Sequence, residues 1–222
     1  MRKIEIVRST PLHEQIYDIL LKQIIQMDLL PGELVVETNL AKKLGVGRGT
    51  LREAVRMLLK DGLLVQRSGA IHIYKPSVQD VIEIYQCRER LESLAAQLAA
   101  GHMTEEIEHE LWRLIVESKN AFLDGRISES VELNTKFHET IIKASHNHQL
   151  IALLETIRTK TLFMRSNITR DYYYSSRDTS YIEDHELIFL ALKEKDPLKA
   201  QQRMSEHILH DLQTFRHFLK EE

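Results

Sequence analysis

Arginine and histidine intrude in this chain where the surrounding pattern asks for apolar residues. Arg88 falls in a stripe with Val81, Ile84, Leu91, Ala95 and Leu98, and Asn134 and His138 fall among Val131, Ile141 and Ser145. His185 sits among Ile182, Phe189 and Leu192, and His207 beside Met204 and Ile208. An inward polar group needs a partner, so several of them in one set of helices point to a polar cavity. Imidazole is a common ligand for divalent transition ions, and Asn134 and His138, four apart, present two groups to one point. The same residues also read as a satisfied polar core cluster. Arg88 likewise has two readings: a bidentate partner for an incoming carboxylate, or half of an internal pair with Glu92 at i+4.

A second group lies near the N-terminus, where Arg48, Gly49, Thr50 and Arg52 open a helical segment just after the turn Gly45-Val46-Gly47. In a helix-turn-helix the N-terminal residues of the second helix reach base edges in the major groove. Arginine suits guanine there, because its guanidinium donates two parallel hydrogen bonds to O6 and N7. Arg48 and Arg52 are four apart and share a face. Taken alone, the same spacing also describes a solvated face on which Arg52 pairs with Glu53.

These residues have to be positioned by two kinds of structure. Apolar residues recur at helical spacing from Leu12 to Met27, until Pro31-Gly32 breaks the pattern. A short helix with Leu40, Ala41 and Leu44 ends at Gly45, and Arg48 to Asp61 forms the next, with Leu51, Val55 and Leu58 inward. After Gly62 the period changes, and Leu63–Arg67, Ser68-Gly69 and Ala70–Tyr74 read as a hairpin. Helices followed by a hairpin predict a winged helix-turn-helix over residues 1–76. Beyond Pro76-Ser77 only helical periodicity appears. An all-α bundle over 77–222 is predicted, with helices near 79–100, 105–123, 128–145, 148–166, 179–195 and 197–219. Thr104 is its expected N-cap before Glu105 and Glu106, Pro197 opens the last helix, and Asp171 to Ser180 reads as a connection. The fold class is therefore mostly α, with one small β-hairpin wing.

Composition agrees with a folded chain: 222 residues, 43% of them hydrophobic and 28% charged, are enough for two cores. The net charge of -3 hides an asymmetry, since residues 1–76 carry 12 Lys and Arg against 8 Asp and Glu while the remainder is acidic. A positive N-terminal part suits a polyanion, and an acidic C-terminal part does not. No apolar run resembles a signal peptide or a membrane span, so a cytoplasmic protein without membrane contact is expected. Cys87, the single cysteine, falls in a helical pattern where a buried, unreactive thiol is expected.

Pro31-Gly32-Glu33-Leu34, Leu40-Ala41-Lys42-Lys43-Leu44-Gly45-Val46, Arg48, Leu51-Arg52-Glu53-Ala54-Val55 and Asp61-Gly62-Leu63 together resemble the DNA-binding signature of the GntR superfamily. The resemblance implies operator-base contacts for Arg48 and Arg52, a phosphate contact for Thr50 and a minor-groove approach for Gly69. Two positions depart: the family usually has Ser or Thr at Gly47 and Thr or Pro at Gly49, so any contacts from those side chains are absent here.

Asn134-Thr-Lys-Phe-His138, Asp184-His185-Glu186, Ser205-Glu206-His207, Asn147 and Arg88-x-x-Leu91-Glu92 resemble the FadR-type C-terminal domain, known as FCD. Its metal-binding members carry Asp-x-x-x-His and two later histidines. The resemblance implies a divalent transition metal, zinc or nickel, on Asn134, His138, His185 and His207. His146, His148, His210 and His217 do not match and are expected at the surface. Asn134 stands where aspartate is usual, leaving the double charge of a metal unneutralised, so an anionic ligand is favoured and Arg88 is placed to take its carboxylate.

The function expected is a homodimeric, ligand-responsive transcription regulator, acting as a repressor on a palindromic double-stranded operator and sensing a small carboxylate. No catalysis is expected. A three-histidine metalloenzyme is the rival from another class, lacking a placed general base, and a regulator with a purely structural bundle is the third reading.

Overall fold

The computed structural model describes residues 10–175 and 180–218, in two compact units, Met1–Lys75 and Pro76–Glu222. In the first, helix α1 (Leu12–Ile25) packs on α3 (Arg48–Lys60), and α2 (Glu37–Leu44) packs on α3 as well. Ile16, Leu20 and Ile24 of α1 and Leu51, Ala54, Val55 and Leu58 of α3 are almost fully buried, as their helical spacing requires. Gly45 ends α2 at φ +67, donating its N–H to the α2 carbonyls in the left-handed conformation that glycine adopts without strain.

Strands β2 (Leu64–Arg67) and β3 (Ala70–Ile73) form the expected hairpin, with Arg67 opposite Ala70. Ser68 and Gly69 turn it at φ +50 and +81, the two successive positive angles of a two-residue turn matched to strand twist. A third strand, β1 (Leu34–Val35), pairs antiparallel with β3 on its other edge, giving the order β1-β3-β2. Gly32 N–H donates to Ile73 O and Ile73 N–H to Glu33 O, both at 2.9 Å. Two residues are too few to show alternation, so this strand is defined by its partner and not by its own sequence.

The second unit comprises α4 (Val78–Ala99), a 3-10 turn (Ala100–His102), α5 (Glu105–Leu123), α6 (Ile127–Ala144), α7 (His148–Ser175), α8 (Ser180–Lys193) and α9 (Pro197–Phe218). Ser77 opens α4 with a reciprocal capping box, accepting from Asp80 N–H at 3.1 Å and donating its own N–H to the Asp80 carboxylate at 2.8 Å. Thr104 caps α5 by accepting from Ile107 N–H. α4 is the central helix, packed against α6, α7 and α9, and α8 packs on α5 and α9. Its inward face is therefore covered from several sides, and Arg88 is wholly buried on it.

Two expectations are corrected. α7 continues to Ser175 instead of stopping near 166, so residues 171–175 of the expected connection are helical, while 176–179 lie outside the described residues. No glycine or proline occurs between Gly125 and Pro197 to stop a helix earlier. Cys87 is exposed, because it lies with Glu83, Gln86 and Arg90 on the outward stripe of α4. Among the described residues no helix is long and apolar enough to cross a membrane.

Candidate functional site

α6, α8 and α9 bring His138, His185 and His207 together, each at most 3% exposed. The Nε2 atoms of His185 and His207 are 3.1 Å apart, and those of His207 and His138 3.3 Å. Donor atoms around a tetrahedral ion with bonds of about 2.0–2.1 Å stand about 3.3 Å from each other, so the spacing fits a zinc-sized ion. Hydrogen bonding explains the cluster poorly, since His207 Nε2 has at most one proton to serve both contacts.

His138 and His185 are held in ligand form by their surroundings. Burial pushes the His138 pKa down to about 3, with Arg165 adding to the shift and Glu92 opposing it. Burial, then the His207 and His138 rings, hold His185 well below its ordinary value. Both are neutral near pH 7. His138 Nδ1–H donates to Glu92 Oε2 at 2.6 Å, which fixes the tautomer and leaves the Nε2 lone pair facing its neighbours. Asn134 lies one turn before His138, buried, and its Oδ1 accepts no hydrogen bond, as a spare oxygen donor would. The residues present thus fit a divalent transition ion.

Glu92 holds two of these groups at once. Its Oε1 accepts from Arg88 Nε at 2.6 Å while Oε2 takes His138. Burial alone would raise the Glu92 pKa, but the Arg88 guanidinium and His138 outweigh it and hold the carboxyl well below the usual range. Arg88 is raised in turn, burial being outweighed by Glu92. The internal Arg88–Glu92 pair therefore forms, yet it uses only one guanidinium nitrogen. Nη1 and Nη2 of Arg88 are buried without a hydrogen-bond partner.

Beside this cluster lies a cavity of about 310 Å³, with Glu92, His138, Arg158 and Arg165 among its polar groups, which also include the carboxylates Glu139 and Glu155, and with apolar walls from α6 and α7. Arg165 is 3% exposed, donates from Nη1 to Thr135 Oγ1 at 3.2 Å, and has an unpartnered Nε. Burial, then Arg88, lower its pKa. Arg88 itself does not line this cavity; the arginine that does is Arg165.

Sequence reasoning passed over Arg165, although Leu150, Leu154, Ile157, Thr161 and Arg165 run along one side of α7 at helical spacing. It treated Glu92 only as a partner for Arg88 and passed over Asp211, one turn after His207. His146 and His148 are exposed, His210 is partly exposed and hydrogen-bonded to Asp184, and the His217 side chain lies outside the described residues.

In the N-terminal unit, Arg48 and Arg52 are exposed at the start of α3 and Thr50 is half-buried. Arg52 Nε contacts Glu37 Oε2 at 3.2 Å, and Arg56, not Arg52, pairs with Glu53. With 62% of its side chain exposed, Arg52 is held weakly and can leave Glu37 for a base edge. Gly47 serves as N-cap of α3 without a side-chain cap, and Gly69 sits exposed at the wing tip.

Residues 12–70 match the bacterial regulatory proteins of the gntR family, and residues 83–210 match the FCD domain. Over 96% of its length and 95% of the relative's, the chain is 37% identical to the uncharacterized HTH-type transcriptional regulator YdhC of Bacillus subtilis strain 168. It is 22% identical to the HTH-type transcriptional repressor RspR of Escherichia coli K12, covering 96% and 92% of the two chains. The solved structure of E. coli McbR/YncC superposes with a TM-score of 0.78 at 22% identity, over 95% of this chain and all of that one, and shows the same fold. The winged helix-turn-helix, the helical unit and both family matches make this chain a DNA-binding transcription regulator of the GntR family with an FCD domain.

Proposed function

We propose that this protein is a cytoplasmic, homodimeric repressor of the FadR-type branch that leaves a palindromic operator when its helical unit binds a small carboxylate at a metal-containing cavity. The observation that carries this reading is the convergence of three imidazole nitrogens beside a cavity lined by a buried arginine with an unused donor. Asn134, His138, His185 and His207 would hold zinc or nickel, which supplies a cationic docking point for one carboxylate oxygen. Arg165, reaching from the cavity wall, donates to the rest of the anion. Two buried guanidiniums near one another repel, so an anion beside Arg165 relieves a penalty that a neutral ligand would leave in place. Binding that draws α4, α6 and α7 toward the anion changes the bundle that sets the separation of the two DNA-reading heads.

Thermal-shift screening of organic acids on metal-loaded protein tests the sensing half. At a hundredfold excess over Kd, a carboxylate effector should stabilise by about 2.7 kcal/mol, a rise of several degrees in Tm, and the same acid should dissociate the operator complex. Arg165→Ala should remove most of that rise. Equal stabilisation of wild type and Arg165→Ala, or stabilisation only by neutral sugars or amines, sinks the anion-sensor reading.

For the DNA-binding half, Arg48→Ala and Arg52→Ala are each expected to weaken specific binding by about 1–3 kcal/mol and to relax base preference at one position per half-site. Thr50→Ala should weaken operator and nonspecific DNA alike, as a phosphate contact does. Operator selection with the purified variants checks this. Unchanged affinity and unchanged preference for the arginine variants would remove them from base readout.

A further inference from the structure

The charge balance at the histidine cluster is incomplete with the four residues named so far. Imidazole ligates metal through its uncharged form, so three histidines and the Asn134 amide would contribute no charge to a divalent ion. Asp211, on α9 one turn beyond His207, is 8% exposed, and its Oδ2 lies 3.8 Å from His207 Nε2. Among the described residues it ion-pairs with no lysine or arginine within 4 Å, although its charge is felt by the buried guanidiniums of Arg88 and Arg165, whose pKa values it raises. A buried carboxylate without a direct ion-pair partner is an expensive arrangement, which a cation bound beside it relieves.

We propose that Asp211 is the anionic ligand of the metal centre, taking by its position on α9 the part that Asn134, as an amide on α6, does not fill. This rests on the metal reading of the histidine cluster. The carboxylate has to move: its Oδ2 is 3.8 Å from His207 Nε2, and it stands outside the group of His138, His185 and His207, whose donor atoms all lie within 4.8 Å of one another, so a change of side-chain rotamer must bring it to the ion. Residues four apart on a helix lie one above the other, so His207 and Asp211 can address one ion together. Asn134 Oδ1, still without a donor, is then left to accept from a water or from the effector. With one carboxylate on the ion, one positive charge remains there beside Arg165, a demand that a single carboxylate effector only partly meets and a dicarboxylate meets fully.

The test is a cobalt(II) and zinc(II) titration of the chelator-treated full-length protein, with affinity read by chelator competition, geometry by the visible cobalt bands, and thermal melting of each metal-free variant. Wild type should take up about one ion per chain and His138→Ala none. Asp211→Asn should bind at least tenfold more weakly, by comparison with the 10–100-fold loss on removing groups that only support a ligand. Its cobalt spectrum should change, and its metal-free form should melt no lower than wild type, because an unpaired buried charge has been removed. Asn134→Ala should lose less affinity than Asp211→Asn, and the double variant Asn134→Asp/Asp211→Asn should recover binding. If wild type takes up no metal, or His138→Ala binds as well as wild type, the cluster reading itself fails, and this proposal with it. If metal binds through His138 but Asp211→Asn leaves affinity and spectrum unchanged, Asp211 is not a ligand. If metal-free Asp211→Asn melts lower or does not fold, Asp211 is a structural counter-ion for the buried arginines and the proposal is overturned.

Discussion

His138→Ala is expected to reduce metal content from about one ion per chain to near zero at micromolar metal, with an affinity loss above about 100-fold. The bound set is small, and His138 is its best-supported member: Glu92 takes its Nδ1 proton at 2.6 Å, so its Nε2 lone pair is already aimed when metal arrives. Removing groups that merely support a ligand lowers affinity about 10–100-fold, and removing the ligand does more. The fold should survive, because Glu92 keeps Arg88 as its partner at 2.6 Å. Elemental analysis after mild purification, followed by zinc or nickel uptake, reads the result. Exposed His146 and His148 serve as controls, and their alanine variants should bind metal normally. A wild-type protein that neither carries nor takes up metal would leave the three histidines a polar core cluster.

Glu92→Ala should have the largest effect on stability, about 3–5 kcal/mol, a substantial share of the 5–15 kcal/mol that holds a typical domain together. Arg88 is wholly buried on the central helix, and Glu92 is its ion-pair partner at 2.6 Å. Truncation leaves that guanidinium charged and unpaired, since a guanidinium is too basic to be deprotonated in a protein. The surface offers the contrast. Arg113 bridges Glu110 and Glu117 with the carboxylates 43% and 46% exposed, and Glu117→Ala should cost no more than about 1 kcal/mol. Denaturant unfolding of the helical unit compares the two. A Glu92→Ala variant unfolding at the wild-type midpoint would mean that Arg88 finds another anion, and the charge balance drawn for the cavity would be wrong. The milder Glu92→Gln keeps an acceptor for His138 and isolates the electrostatic part, with metal affinity expected to fall about 10–100-fold.

The sequence by itself determined the elements and the list of inward polar groups. Period 3.6 in Leu12–Met27 and throughout 79–219, period 2 on either side of Ser68-Gly69, and the Gly45 terminator are local signals, and each element followed from its own residues. Burial of Arg88, Asn134, His138, His185 and His207 was legible for the same reason, since each stands in a stripe whose other members are apolar. What depends on pairing between distant segments was not legible. β1 exists because Gly32 and Glu33 meet Ile73, some forty residues away, and two residues carry no period of their own. The extension of α7 came from the absence of any breaker, a weaker signal than the three tyrosines that suggested a connection. Within the site, helical spacing gives the face of a helix but not the atom a side chain meets across the bundle. Only the packing of α4 against α6 gives Glu92 two partners, and only the packing of α7 brings Arg165 to the cavity wall in place of Arg88. The distance of Asp211 from His207 follows from side-chain rotamers in the packed bundle, which spacing along α9 leaves open.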